Sequence, residues 1–131
     1  MIDWKSSPID SALRSLITVR VSQINWCRFC VDLNTATLLE RGASLEKVQA
    51  LENWRESRFF DARERAALDY AEAVTCSDRQ VEDDIVKRLK GHFDDDVIVE
   101  LTSLIAFQNM SSKFNSALGV PAQGFCRVPE L

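Results

Sequence analysis

Apolar residues recur at every third or fourth position along most of the chain, the spacing that places them on one face of an α-helix. The first such run contains Ile9, Leu13 and Leu16. The three prolines, at positions 8, 121 and 129, all lie near the ends, so the long middle of the chain lacks the residue that most disrupts a helix. The pattern predicts an all-α fold.

Capping residues divide this pattern into about six helices. Ser7 followed by Pro8 is expected to begin the first helix, because proline suits the first helical position. Gly42, Gly91 and Gly119 each follow a segment with helical spacing and are expected to end it with a positive φ. The predicted helices span about 8–25, 26–41, a short segment opened by Ser44, 61–75, a segment capped by Asp78, and 95–118.

Three other segments carry specific expectations. The aromatic connector 54–60 is expected to be packed, and Val81 is expected to face inward from the helix that Asp78 caps. Segment 95–118 is apolar on more than one side, as in a central or interface helix, and a strand at 97–99 is the local alternative. The tail 119–131 is predicted to be an irregular arm.

Composition narrows the class of protein. With 131 residues, 46% of them hydrophobic and 27% charged, the chain is expected to form a single domain over 1–131. A net charge of −4 without clustered Lys or Arg argues against nucleic acid as a partner. The longest stretch without a charged residue, 114–126, is shorter than the roughly 20 residues of a membrane-spanning helix. The first eight residues do not resemble a signal peptide, so a cytoplasmic location is expected.

Cys27-Arg28-Phe29-Cys30 is the sharpest chemical feature of the sequence. At a helix start the two cysteines face the same way, and the unpaired amides and the helix dipole are expected to stabilise a thiolate. The thiolate is the nucleophilic form of cysteine, and a second cysteine at this spacing can capture the oxidised sulfur as a disulfide. Two inert core cysteines are the structural alternative. A zinc site is not expected, because about four ligands are needed and no second close pair exists. The lone Cys76 and Cys126 receive no role.

Two further groups could handle protons. His92 follows Gly91 at the predicted end of a helix, where a capping or surface histidine is the simpler interpretation. Glu56, within Trp54-Arg55-Glu56-Ser57, could approach the cysteines as a proton acceptor, although such a group is commonly a structural corner.

Several motifs occur together in one collinear pattern over about residues 8–118. They are Val19-Arg20-Val21-Ser22-Gln23-Ile24-Asn25, then Cys27-x-x-Cys30-Val31-Asp32, Trp54-Arg55-Glu56-Ser57, Arg63-Glu64-Arg65-Ala66-Ala67-Leu68 and Glu72-Ala73. In this pattern the chain resembles the carboxymuconolactone decarboxylase family, and within it the AhpD-like alkylhydroperoxidases. The resemblance implies an all-helical fold that assembles into homotrimers or homohexamers. It also implies a dithiol peroxidase whose cysteine pair reduces hydroperoxides. No cofactor is expected.

In that branch a glutamate twelve residues before the first cysteine and a histidine four residues after the second work with the pair. Those positions here are Ser15 and Asn34. Neither side chain titrates near neutral pH, so the usual proton relay is broken. We therefore expect a protein that reduces hydroperoxides through Cys27 and Cys30 with a dithiol reductant protein, and with Glu56 or His92 as a substitute base. A thiol-disulfide oxidoreductase and a non-enzymatic, oligomeric redox-sensing or interaction protein remain the alternatives.

Overall fold

A computed structural model describes residues 7–127, and every regular element in that range is a helix. The predicted all-α class and the helix count are therefore confirmed. The elements are α1 (Ser11–Ile24), α2 (Arg28–Glu40), α3 (Leu45–Gln49), a short 3₁₀ helix (Leu51–Glu56), α4 (Ala62–Thr75), α5 (Asp83–Lys90) and α6 (Asp95–Ala117). Within the described residues no helix is both long enough and apolar enough to cross a membrane.

Helix α1 occupies the centre of the fold and packs against α2, α4 and α6. Leu16, Ile17 and Val19 on α1 have at most 1% of their surface exposed. Burial of such side chains contributes roughly 1.5–3 kcal/mol each. Because α2 follows α1 after only three residues and packs directly on it, the turn that contains Cys27 is held against the core.

Three helix starts differ from the predicted ones. Helix α2 begins at Arg28 and not at Trp26, because Trp26 has a left-handed φ of +57° and Cys27 caps the helix. Helix α1 begins at Ser11 and not at Pro8, because the Asp10 side chain accepts the Leu13 amide at 2.8 Å and so caps the first turn. Helix α5 begins at Asp83, five residues beyond Asp78, and Val81 precedes it with 37% of its surface exposed. The predictions of a cap at Asp78 and of an inward-facing Val81 were wrong.

The connections follow the sequence more closely. Gly42 and Gly119 have φ values of +98° and +67°, as predicted, but Gly91 has a right-handed conformation and continues the turn of α5. Residues 97–99 lie inside α6 and not in a strand. The arm 119–127 is irregular, as expected. Residues 1–6 and 128–131 lie outside the described range, and the expectations for the N-terminal segment and for the end of the tail fall on those residues.

The buried carboxylate of Glu72 ties the connector to the core. It accepts hydrogen bonds from Trp54 Nε1 at 2.8 Å, from Arg20 Nε at 3.0 Å and from Arg55 Nη2 at 3.1 Å. Burial alone would raise the pKa of Glu72, but these donors outweigh it and hold that pKa below its usual value. The 3₁₀ helix is thereby fixed to α1 and α4, and the buried Trp54 confirms the packed connector.

Candidate active site

The turn between α1 and α2 places Cys27. Helix α1 ends in a Schellman motif: the Cys27 amide donates to the Ser22 carbonyl at 3.1 Å and the Trp26 amide donates to the Gln23 carbonyl at 3.2 Å. This motif requires a left-handed residue, usually glycine, and Trp26 fills that position with φ +57°. The strained and 85% exposed indole lies directly before the first cysteine.

Cys27 is the N-cap of α2, and Cys30 lies in the first turn of that helix. The Cys27 Sγ accepts the Cys30 amide at 3.2 Å. Both cysteines are buried, with 0% and 3% of their surface exposed, and both are reduced in this structure. The predicted placement of the pair at the helix start is therefore confirmed, and one helical turn separates the two thiols.

The expected stabilisation of a thiolate at Cys27 is wrong. Burial, and next the hydrogen bond with the Cys30 thiol, raise the pKa of Cys27 to about 11, against an opposing contribution from the Cys30 amide. Desolvation of the charged sulfur exceeds the attraction of the helix start because Cys27 has no accessible surface. Cys27 therefore rests as a neutral thiol at physiological pH.

Cys27 lies in the wall of a cavity of about 690 Å³. The cavity is also lined by Arg28 and Asp32 of α2, by Glu52 of the 3₁₀ helix, and by Cys126 of the C-terminal arm. A molecule in this cavity would lie beside the first cysteine, one cation and two carboxylates. A second cavity of about 520 Å³, beside Phe93 between α5 and α6, is lined by Lys90 and three aspartates but by no cysteine.

Asn34, the position of the family histidine, belongs to a buried amide and hydroxyl network. Its Nδ2 donates to Ser22 Oγ at 3.2 Å, and Gln108 Nε2 donates to the same oxygen at 3.0 Å. Ser22 Oγ in turn donates to the Thr18 carbonyl at 2.6 Å. The network joins α1, α2 and α6 behind the dithiol, but none of its side chains can take a proton near neutral pH.

Ser15 lies apart from this network. It is two helical turns before Ser22 on α1, a rise of about 10 Å. Its Oγ accepts a hydrogen bond from Arg41 Nη1 at 2.6 Å, and the same nitrogen donates to the Ser11 carbonyl at 3.1 Å. The position of the family glutamate thus contacts a guanidinium group in this chain.

The two proposed substitute bases are not in the cavity wall. Glu56 is exposed at the end of the 3₁₀ helix, and His92 is exposed after α5. Glu52, four residues before Glu56, is the glutamate that lines the cavity with Cys27. The sequence analysis missed Glu52 because its local pattern is that of an ordinary solvated residue. Its placement depends on the kinked 3₁₀ helix, in which Asn53 departs from helical geometry.

The C-terminal arm closes one side of the cavity. The buried carboxylate of Asp32 accepts the backbone amides of Gln123 at 2.8 Å, Phe125 at 3.1 Å and Cys126 at 2.7 Å. Burial raises the pKa of Asp32, but these amides outweigh it and hold the pKa below its usual value. No local sequence signal marked Asp32 as the anchor of residues more than ninety positions away.

Within residues 7–127, no group of three or more His, Cys, Asp or Glu side chains is arranged to hold a metal ion.

The sequence model of the carboxymuconolactone decarboxylase family matches residues 1–73, more than half of the 131-residue chain. The chain belongs to this family. The uncharacterised protein YnjA of Escherichia coli (strain K12) is 45% identical over 129 residues, which are 98% of this chain and 71% of YnjA.

Two solved structures confirm that this family member has the AhpD-like fold. A protein of unknown function from Agrobacterium tumefaciens, described as a proposed antioxidant defence protein AhpD, has a TM-score of 0.86 at 31% identity; the match covers 90% of this chain and 82% of that one. A peroxidase-related protein from Ralstonia eutropha JMP134, described as an alkylhydroperoxidase AhpD core, has a TM-score of 0.79 at 26% identity, over 95% of this chain and 68% of that one.

Proposed function

We propose that this carboxymuconolactone decarboxylase family member is a dithiol-dependent peroxidase that reduces organic hydroperoxides in the cavity beside Cys27. The observation that carries the proposal is the cysteine pair itself. Cys27 lines the cavity, and Cys30 lies one helical turn behind it and donates its backbone amide to the Cys27 sulfur. The descriptions of the two similar structures as an antioxidant defence protein and an alkylhydroperoxidase core support the same reaction class.

The reaction consumes one hydroperoxide and two thiols. Cys27 attacks the terminal peroxide oxygen, the O–O bond breaks, and the products are a Cys27 sulfenic acid and an alcohol. The Cys30 sulfur then attacks the sulfenic sulfur, which forms the Cys27–Cys30 disulfide and releases water. An external dithiol protein reduces the disulfide and is itself oxidised. The hydroperoxide loses one oxygen as water, and each cycle transfers two electrons.

Cys27 must lose its proton before it attacks, because its pKa of about 11 keeps it neutral at physiological pH. Asn34 and Ser15 cannot accept that proton. We assign this role to Glu52, the glutamate that lines the same cavity. A positioned base of this kind typically contributes about 10²–10⁴-fold to a rate.

Glu52→Gln is therefore expected to lower cumene hydroperoxide turnover by about a hundredfold, the lower end of the usual range for a general base. Glu56→Gln is the matched control, since it makes the same change on the same 3₁₀ helix outside the cavity wall. Turnover is measured with dithiothreitol as the reductant. Loss in Glu56→Gln alone would transfer the role to Glu56, and loss in neither variant would remove the glutamate from the mechanism.

Cys27→Ser and Cys30→Ser test the proposed reaction as a whole. Cys27→Ser should abolish turnover, and Cys30→Ser should lower it, because the Cys27–Cys30 disulfide can no longer form. A wild-type protein that consumes no hydroperoxide but exchanges disulfides with a dithiol protein would instead be a thiol-disulfide oxidoreductase. The neutral, fully buried Cys27 favours that second candidate, because a high thiol pKa slows attack on peroxides and stabilises a disulfide once formed.

The proposed protein is a homotrimer or homohexamer assembled through α6. One face of this helix packs into the core, and the opposite face presents an exposed apolar stripe. The stripe consists of Val99, Phe107, Met110, Phe114 and Leu118, each with 59–67% of its surface exposed. Such a continuous stripe is typical of an interface. Light scattering at micromolar concentration is expected to give three or six copies, and Phe107→Glu with Phe114→Glu should release monomers; a wild-type monomer would contradict the assembly.

A further inference from the structure

A third thiol borders the cavity that contains the dithiol. Cys126 lines the same cavity as Cys27, although 98 residues of the sequence lie between them. The fourth cysteine, Cys76, is the C-cap residue of α4 and does not line this cavity. Cys126 is therefore not an isolated cysteine: two cysteines line one cavity, and Cys30 lies one turn behind the first of them.

The position of Cys126 is fixed from the helix that bears the pair. Its amide makes the shortest of the three hydrogen bonds to Asp32, which follows Cys30 by two residues on α2. The neighbouring Phe125 ring contacts Phe29 edge to face, with centroids 6.2 Å apart, and Phe29 lies between the two cysteines. The same short segment of α2 thus holds both the dithiol and the arm.

The three thiols differ in access to solvent. Cys27 has no exposed surface and Cys30 has 3%, whereas Cys126 is half-buried on an otherwise exposed arm. A small hydroperoxide can enter the cavity, but the active site of a dithiol protein must approach a sulfur directly to attack it. Cys126 is the most exposed of these three cysteines.

We propose that Cys126 is a further redox residue that exchanges with the Cys27–Cys30 disulfide and passes it to the external reductant. This inference rests on the proposed function. The Cys126 thiolate attacks Cys27 Sγ, a Cys27–Cys126 bond forms, and the Cys27–Cys30 bond breaks with Cys30 leaving as a thiolate that takes up the proton. An external dithiol protein then attacks Cys126 Sγ, releases Cys27, and leaves as a disulfide after its second thiol resolves the mixed disulfide.

The sequence makes this exchange easy to observe. Trypsin cleaves after Arg28, between the two cysteines of the pair, and therefore places each cysteine in a different peptide. Cys27, Cys30, Cys76 and Cys126 fall in peptides 21–28, 29–41, 66–79 and 114–127 respectively. After thiols are blocked with N-ethylmaleimide, mass spectrometry of the linked peptides identifies every disulfide without ambiguity.

The decisive sample is Cys30→Ser oxidised with one equivalent of cumene hydroperoxide. We expect peptide 21–28 to become linked to peptide 114–127, because Cys126 then resolves the Cys27 sulfenic acid. Cys30→Ala provides a second variant in case serine perturbs folding, which circular dichroism checks. Asp32→Asn in the Cys30→Ser background should lower the yield of the linked peptide, whereas Cys76→Ser should leave the yield unchanged. Persistent sulfenic or sulfinic acid at Cys27 in both variants would overturn the proposal.

A second measurement follows reduction of the wild-type disulfide. Cys126→Ser is expected to slow reduction by a thioredoxin about tenfold or more, and to slow reduction by the much smaller dithiothreitol far less, because access limits only the large reductant. Equal slowing by both reductants, or by neither, would overturn the relay. If wild type forms no Cys27–Cys30 disulfide, the proposed function fails, and the Cys30→Ser sample still decides whether Cys126 pairs with Cys27.

Discussion

The raised pKa of Cys27 makes a prediction about pH that separates this site from a typical reactive cysteine. With a pKa of about 11, the thiolate fraction at pH 8 is about 10⁻³, against about 10⁻¹ for a thiol at the ordinary value of 9.0. Alkylation of Cys27 in the reduced, folded protein should therefore rise about tenfold for each pH unit and level off only near pH 11. The same cysteine in urea-unfolded protein should level off two units earlier.

Iodoacetamide labelling followed by tryptic mapping measures this rate for Cys27 alone, since peptide 21–28 contains no other cysteine. The position of the midpoint on the pH axis is the informative quantity. Burial slows access at every pH, but only the thiol pKa moves the midpoint. A folded-state midpoint at or below that of the unfolded chain would refute the conclusion that desolvation exceeds the pull of the helix start.

The same shift has a consequence for stability. The folded-state pKa of Cys27 lies above the unfolded value, so the folded protein retains the Cys27 proton to higher pH than the unfolded chain does. The stabilising contribution of this protonated thiol is fully present below about pH 9. That contribution is lost as the pH rises to about 11, by roughly 3 kcal/mol for a shift of two pKa units. Urea unfolding of wild type and Cys27→Ser at several pH values isolates this contribution as the difference between the two proteins. Parallel profiles would contradict it.

Two further substitutions test the turn and the missing relay. Trp26→Gly should raise the free energy of unfolding by about 1 kcal/mol relative to Trp26→Ala. Only glycine relieves the left-handed strain, which costs about 1–2 kcal/mol, and the entropy that glycine adds to the unfolded chain offsets part of this gain. Equal urea midpoints for the two variants would contradict this. Ser15→Glu combined with Asn34→His should raise cumene hydroperoxide turnover, up to the 10²–10⁴-fold that positioned proton transfer contributes. Adding Arg41→Gln should raise the turnover further, because Arg41 contacts position 15 and would lower the pKa of the new carboxylate. No gain in turnover for a folded Ser15→Glu, Asn34→His variant would favour the thiol-disulfide or non-catalytic alternatives.

Local sequence rules located most of the fold because helix periodicity and caps are properties of neighbouring residues. The capping box of α4, in which Asp61 and Glu64 exchange hydrogen bonds with each other's backbone amides, lies where the sequence predicted a helix start. The errors arose where two good signals compete within a few residues. Pro8 and Asp10 could each begin α1, and the choice depended on which cap met the Leu13 amide.

The candidate site was only partly readable from the sequence. The Cys27 and Cys30 pair and its position at the start of α2 follow from spacing, but the reactivity of Cys27 does not, since its burial in the folded chain raises its pKa. The neighbours of the pair come from segments distant in sequence: Glu52 from the 3₁₀ helix and Asp32's partners from the arm. No local pattern indicates that Glu52 and the arm lie near the cysteine pair. The sequence therefore led to Glu56 as the candidate base and to no role for Cys126.

The hydrogen bonds between Asp32 and the arm all use main-chain donors. Side-chain replacement at positions 123, 125 and 126 therefore leaves the attachment intact, with the exception of proline, which lacks the amide hydrogen. Position 124 is constrained differently, because Gly124 has φ +77°. The arm can consequently vary its side chains, and with them the wall of the cavity, while its path over α2 stays constant, so substrate preference could diverge among relatives without any change to the anchor.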